Sequence, residues 1–322
     1  MTKSKKTILF WGLFVIIFAS LLVIATLFDK QISDILAKPY LANGSYFSTI
    51  VFARILEVIG EMPLYIFSVT ALIIIILKCK KIENKKTRLL LIGFNAVVAI
   101  GVGTYGWMQF FEYLYDFYPT QLALFDETYF LVIEGLISIA GCFLIYLLAN
   151  KFLINHVDEL LPIAIIIIIA AIVSNGLTQG IKPFVGRERY RATYYLTYKN
   201  VDSIGFTPWY VINGKTKDLI ANYDPILNVT KTFYTSFPSG HTTGAGIVYS
   251  MMFIPCFVKS LNTTKHKVIF TSIAIFYTGL VAFSRIVMGA HFMSDVLFGG
   301  TIVFLSNILG YVITKKFFKT FC

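Results

Sequence analysis

Repeated apolar runs of about 18 to 22 residues are the feature that most limits what this chain can fold into. A helix of that length, rising 1.5 Å per residue, covers the roughly 30 Å hydrocarbon core of a bilayer. The 322-residue chain is also 57% hydrophobic and only 14% charged, a composition that is rare among soluble domains. We therefore predict an all-α, polytopic bundle of transmembrane helices.

About eight runs are predicted to span the membrane: Ile8–Phe28, Ile59–Leu77, Leu89–Met108, Tyr129–Ala149, Leu160–Ile181, His241–Val258, Val268–Phe283 and Met293–Thr314. The first is interpreted as a retained helix, because its 21 residues exceed the apolar core of a signal peptide and no small-residue cleavage site follows. The amphipathic segment before the second span, Phe47–Met62, carries Arg54, Glu57 and Glu61 and is suited to the membrane interface.

Basic residues are unevenly distributed among the connections between these spans. The N-terminus, Lys78–Arg88, Lys259–Lys267 and the C-terminal tail are rich in lysine or arginine, whereas the connection between the third and fourth spans has neither. Because short cytoplasmic loops retain positive charge, we predict that these four segments are cytoplasmic in a multi-pass plasma (inner) membrane protein. This topology accounts for most of the net charge of +11, and no nucleic-acid partner is expected.

The four cysteines are Cys79, Cys142, Cys256 and Cys322, and no two of them share an exported loop. No two are spaced for shared ligation of a metal ion either. The sequence therefore predicts neither a disulfide framework nor a metal site.

Three polar clusters interrupt the apolar pattern between residues 182 and 295. Lys182–Arg191 follows the fifth predicted span, Phe237–His241 precedes the sixth, and Ser284–Asp295 connects the last two. On the predicted topology all three clusters meet at the outer membrane face.

The clusters contain the groups that binding of a phosphate ester requires. Lys182, Arg189 and Arg285 supply three cations, and the planar guanidinium fork matches phosphate oxygens. Ser239 and Gly240 precede an apolar helix, where backbone N–H groups and the helix dipole favour an anion. We predict that these five residues bind phosphate.

Two of the four histidines, His241 and His291, lie in the same clusters. One is suited to attack phosphorus and the other to protonate the leaving oxygen. Asp295 follows His291 by four residues, so on a helix the two side chains share a face and the carboxylate orients the imidazole.

The spacing within the clusters resembles the signature of the type 2 phosphatidic acid phosphatase superfamily, which is K-x6-R-P, P-S-G-H and S-R-x5-H-x3-D. The matching positions are Lys182, Arg189, Pro238, Ser239, Gly240, His241, Ser284, Arg285, His291 and Asp295. Tyr190 stands where the family has proline, which puts the local loop geometry in question. The resemblance covers about the last 140 residues of the chain.

The resemblance implies a helical phosphatase core in residues 160–322, including an outer loop at 182–237, after N-terminal helices in residues 1–159 of unassigned role. It implies a phosphohistidine on His291, orientation of that ring by Asp295, and a general acid and base role for His241. No metal or other cofactor is expected. The implied substrate is a membrane lipid phosphate or pyrophosphate.

Two other functions stay open at this point. A phosphotransferase of the same architecture moves the phosphoryl group to an alcohol instead of to water. A non-enzymatic transporter requires polar residues at mid-depth in the spans, whereas the polar clusters here lie at one surface. A haloperoxidase is disfavoured, because those relatives are soluble.

Overall fold

The computed structural model describes residues 3–41, 46–117, 127–221 and 229–322. Its regular structure is helical, and no strand occurs among these residues. The outer loop predicted for 182–237 includes a stretch, 222–228, that lies outside the described residues.

The α-helices are connected by short 3-10 turns and loops. They are α1 (Lys3–Leu36), α2 (Val51–Ile59), α3 (Met62–Cys79), α4 (Lys85–Phe117), α5 (Glu127–Phe152), α6 (Val157–Val185), α7 (Tyr190–Tyr198), α8 (Thr216–Ile220), α9 (Gly240–Ala245), α10 (Ile254–Phe257), α11 (Thr264–Val287) and α12 (Met293–Thr314). Within the described ranges, seven helical stretches are long and apolar enough to cross a membrane. The prediction of an all-α, polytopic helix bundle is thereby confirmed.

The predicted sixth span, His241–Val258, is not a single α-helix, and that part of the prediction was wrong. The chain instead forms α9, a 3-10 helix at Gly246–Phe253, and α10. Three glycines between 240 and 246 weaken α-helix formation, and Pro255 has no N–H to donate to the preceding turn. A Cβ atom at Gly246 would overlap the side chain of Val303, so close packing requires glycine there.

Cys256 and Cys322 form a disulfide, contrary to the prediction that the cysteines are unpaired. The two residues are 66 positions apart, and the backbone N–H of Phe321 donates to the carbonyl of Cys256 at 2.8 Å. The last residues of the chain therefore pack on α10, a contact that loop spacing did not reveal. Cys79 and Cys142 are free thiols.

The described chain forms two compact units, each assembled from segments that are distant in sequence. The first unit consists of Met1–Arg54, Leu177–Gly240 and Ala282–Thr301. The second consists of Ile55–Gly176, His241–Val281 and Ile302–Cys322.

The first unit has a small aromatic core beside the start of α12. Phe292 and Tyr190 are buried there with Ala37 and Leu41, which follow α1. Along α1 itself, large apolar side chains such as Ile16 are mostly exposed, as expected for a helix that faces lipid.

The second unit is built around α3, which packs against α4, α5 and the 3-10 helix at Gly246–Phe253. Its largest core cluster includes Leu64 and Ile74 of α3, Ile163 and Ile167 of α6, and Phe253.

Candidate active site

Seven of the eight predicted site residues lie in the first unit. They are Lys182, Arg189, Ser239, Gly240, Arg285, His291 and Asp295. The eighth, His241, is the first residue of a segment of the second unit, and its surroundings are described separately below.

Asp295 is fully buried in the first turn of α12. Its Oδ2 atom accepts hydrogen bonds from the hydroxyl of Ser236 at 2.5 Å and from the backbone N–H of Phe292 at 2.8 Å, while Oδ1 accepts from Arg187 at 2.6 Å. Asp295 is the third residue of the helix, and it accepts the backbone N–H of the residue that precedes the helix. That N–H has no hydrogen-bond partner within the helix itself. Asp295 thus caps the helix on which it lies.

Arg187 is the most buried cation of the site, although the sequence pattern gave it no assigned role. Its guanidinium donates to both Asp295 and Asp29, the latter at 3.0 Å, and to the hydroxyl of Ser294 at 2.7 Å. The guanidinium carbon also lies 4.2 Å from the ring centroid of Phe292. Arg187 is therefore held by two carboxylates and an aromatic face, an arrangement that suits arginine better than lysine.

Asp29 brings α1 into the same cluster. It accepts the hydroxyl of Ser294 and, at 2.9 Å, the backbone N–H of Ser294, which is another donor without an intrahelical partner in α12. The two residues are 265 positions apart, so no local pattern predicted their contact. The available signal was an acidic residue at the end of an apolar run, because buried acids beside membrane spans are usually paired.

His291 is 1% exposed and lies just before α12. Its Nδ1 atom is 2.6 Å from the backbone carbonyl oxygen of Ser236 and 3.8 Å from Oδ2 of Asp295. A carbonyl oxygen only accepts, so Nδ1 carries the hydrogen and Nε2 carries the lone pair. The direct hydrogen-bond partner of His291 is therefore Ser236, a residue that the sequence analysis missed, and Asp295 lies at ion-pair distance.

Burial lowers the pKa of His291 from its ordinary 6.5 to about 3. The positive charges of Arg189 and Arg285 act in the same direction, and Asp295 opposes them. The imidazole is consequently neutral at pH 7, as a nucleophile requires.

Backbone contacts place Ser239 beside Asp295 and Arg285 beside His291. The backbone N–H of Ser239 donates to the carbonyl of Asp295 at 3.0 Å, and the N–H of His291 donates to the carbonyl of Arg285 at 3.2 Å. A Cβ atom at Gly240 would be 3.0 Å from Nζ of Lys182, so the ammonium lies directly against this glycine. In the described ranges, no three His, Cys, Asp or Glu side chains are grouped to hold a metal ion.

The backbone before Tyr190, which stands where the family has proline, has a conformation that proline at this position would also allow. Arg189 has φ −76° and ψ 146°, the extended conformation that a following proline imposes, and α7 begins at Tyr190 as it would at a proline. The Tyr190 hydroxyl donates to Asp34 of α1 at 2.6 Å. The substitution therefore exchanges a rigid ring for a contact with α1.

His241 is buried in the second unit among residues that precede α3 and lie on α4. Its Nε2 atom is 2.9 Å from the carbonyl oxygen of Glu57, and its Nδ1 atom is 4.0 Å from Oε2 of Glu61. The ring of Tyr113 contacts the imidazole edge-on, with 4.8 Å between the ring centroids.

Replacing Arg187 with methionine should strongly destabilise the protein. The change leaves two buried carboxylates without their guanidinium, and we expect a loss of about 3 to 5 kcal/mol in the free energy of unfolding. The matched control is Lys30→Ala, which removes an exposed ion pair to Asp34 on α1 and should cost less than about 1 kcal/mol. The measurement is the apparent melting temperature in detergent, and equal shifts for the two variants would contradict the prediction.

The lowered pKa of His291 predicts that its ring stays neutral from about pH 8 down to about pH 5. The measurement is an NMR titration of histidine-labelled protein, in which the His291 signals are assigned by their loss in His291→Gln. A titration midpoint near 6.5 for those signals would contradict the prediction.

Comparison with known proteins gives one match. The model of the PAP2 superfamily matches residues 159–319, half of the chain, and these residues include all eight predicted site residues. No curated protein and no solved structure matches the chain. The match agrees with the motif spacing and the helical architecture, and the chain therefore belongs to the PAP2 superfamily.

Proposed function

We propose that this protein is a membrane-embedded phosphatase that hydrolyses a lipid phosphomonoester or lipid pyrophosphate through a phosphohistidine on His291. The proposal is supported by the protonation state and hydrogen bonding of the His291 ring. His291 is buried and neutral, and it gives its Nδ1 hydrogen to the Ser236 carbonyl, which leaves the Nε2 lone pair available. Membership of the superfamily supports phosphatase-type activity at the level of the family.

In the first half-reaction, the Nε2 lone pair of His291 attacks phosphorus. A P–N bond forms as the bond from phosphorus to the leaving oxygen breaks. The electron pair of the broken bond goes to the leaving oxygen, which takes a proton from His241.

In the second half-reaction, water attacks the phosphorus of the phosphohistidine. His241, now neutral, accepts a proton from that water, and the electron pair of the P–N bond returns to Nε2. Inorganic phosphate leaves, and both histidines regain their starting protonation states.

The cations act on the transferring phosphoryl group, whose negative charge is carried by its non-bridging oxygens. Lys182, Arg189 and Arg285 are assigned to those oxygens, together with Ser239 and Gly240. Positioning and charge stabilisation of this kind supply most of the catalysis in phosphoryl transfer. Arg187 is assigned instead to Asp295, because its guanidinium is already bonded to two carboxylates.

The active site is assigned to the extracytoplasmic face of the membrane. The lysine and arginine content of the N-terminus and of the Lys78–Arg88 loop supports this orientation. The Cys256–Cys322 disulfide disfavours a cytoplasmic tail, since disulfides persist mainly in oxidising compartments. The N-terminus and the Lys78–Arg88 loop are separated by two candidate spans and so share one face, and we retain the orientation that they indicate.

The assignment of a lipid substrate rests on where the site residues lie along the apolar helices. Lys182 is in the last turn of α6 and Asp295 is in the first turn of α12. A lipid presents its phosphate at the ends of membrane-spanning helices without leaving the bilayer, and each buried methylene contributes about 0.8 kcal/mol to retaining it.

Substitution of His291 should abolish phosphoenzyme formation. After a brief incubation with labelled substrate and quenching in denaturant, wild-type protein should retain acid-labile label, and His291→Gln should retain none. The matched control is His156→Gln, which changes an exposed histidine and should label as the wild type does. Label on the His291→Gln protein would disprove the assignment of the nucleophile.

The specificity constant kcat/KM should rise with the length of the apolar chain on the substrate. The experiment compares one headgroup phosphate carried on a long chain, a short chain and no chain in mixed micelles, corrected for surface concentration and run with and without a chelator. Equal values for the chainless and long-chain compounds would favour a soluble phosphate ester as the substrate.

A further inference from the structure

Three contacts of His241 come from a part of the chain that precedes the matched family region. Glu57, Glu61 and Tyr113 all lie before residue 159, where the family match begins. We infer that Glu61 is a positioning residue for His241, whose carboxylate holds the imidazole protonated and oriented for proton transfer to the leaving oxygen. This inference rests on the proposed function and deepens it, because it gives the N-terminal helices a part in the chemistry.

The hydrogen bond from His241 to Glu57 fixes which ring nitrogen transfers the proton. The Nε2 atom lies 2.9 Å from a backbone carbonyl, which only accepts, so Nε2 keeps its hydrogen in either half-reaction. Nδ1 is then the atom that gains and loses a proton. This is also the atom that lies 4.0 Å from the Glu61 carboxylate.

The chain is shaped to bring Glu61 close to His241. Gly244 follows His241 by three residues and so lies on the same face of α9. A Cβ atom at Gly244 would lie 2.8 Å from Cβ of Glu61 and 3.5 Å from its Oε2, so only glycine leaves room for this approach. The glycine that weakens α9 as a helix therefore has a packing role.

Burial strengthens the electrostatic interaction between Glu61 and His241. Glu61 is 8% exposed and His241 is 5% exposed, so water screens their interaction much less than at a surface. A carboxylate at 4.0 Å favours the charged form of the imidazole. The distance exceeds that of a hydrogen bond, so the Nδ1 hydrogen is not held tightly by Glu61 and remains transferable.

The same interaction serves both half-reactions. When His241 has given its Nδ1 proton to the leaving oxygen, the nearby carboxylate favours its reprotonation. The proton then comes from the attacking water, as the second half-reaction requires. Glu61 itself exchanges no proton in this scheme and acts only through His241.

The test compares leaving groups in Glu61→Gln, which removes the charge and keeps the shape. A general acid matters most for a poor leaving group, so kcat/KM for an alkyl phosphate should fall about 10- to 100-fold, whereas kcat/KM for an activated aryl phosphate should fall less than about 3-fold. Glu61→Asp, which restores the charge, should recover part of the alkyl activity. The matched control is Glu134→Gln, which removes another buried carboxylate of the second unit and should leave the ratio of the two values unchanged.

A double-mutant cycle tests whether Glu61 acts through His241 or in another way. In a His241→Ala background, Glu61→Gln should lower kcat/KM for the alkyl phosphate by less than about 2-fold. A full additional loss in that background would overturn the inference. Gly244→Ala, which displaces Glu61 without changing its charge, is the second variant and should also lower the ratio of alkyl to aryl activity.

The outcomes distinguish this inference from the proposed function. If the wild-type protein hydrolyses lipid phosphate and labels His291, but both Glu61→Gln and Gly244→Ala keep the wild-type ratio, only the role of Glu61 is wrong. If wild-type protein forms no phosphohistidine, the proposed function fails and the inference fails with it.

Discussion

Arg187 lies between two buried carboxylates, Asp29 and Asp295, and this ion pairing joins α1, the loop after α6 and the start of α12. One guanidinium does not neutralise two carboxylates. The remaining charge is offset by donors at the start of α12, among them the backbone N–H groups of Phe292 and Ser294, and by the positive end of that helix. The geometry of the first unit thus depends on one cluster. Arg187 is held by two carboxylates, and each carboxylate also accepts a backbone N–H at the start of α12.

His291 is positioned by a relay that begins in this cluster. Asp295 accepts the hydroxyl of Ser236, and the carbonyl of the same residue accepts the Nδ1 hydrogen of His291. The sequence spacing of His291 and Asp295 predicted a direct pair on one helix face. That geometry requires both residues to be helical, but α12 begins at Met293, so His291 lies outside the helix and meets a different partner.

Local hydropathy patterns predicted most of the long helices, but they did not predict polar contacts between residues that are distant in sequence. Hydropathy alone placed the last span at Met293–Thr314, the bounds that the structure has. It failed at His241–Val258, because the average hydropathy of a run does not depend on a glycine that packs against Val303 or on a proline that interrupts the hydrogen bonds. The contact of Asp29 with Ser294 joins residues 265 positions apart, and a single sequence contains no periodicity that reports such a pair.

The resemblance to the family assigns the attack to His291 and the proton transfer to His241, whereas the residues alone give both histidines a place in the motif. The surroundings of the two rings supply an argument, because each ring has a backbone carbonyl and a carboxylate beside it. At His291 the carbonyl of Ser236 is 2.6 Å away, and burial together with two guanidinium charges outweighs Asp295 and keeps the ring neutral. At His241 the carboxylate of Glu61 lies 4.0 Å from Nδ1, and the proposed acid role assigns it to the charged form of the ring. A neutral imidazole is a nucleophile and a charged one is an acid, so the proposed roles require the balance of burial and charge to differ between the two rings.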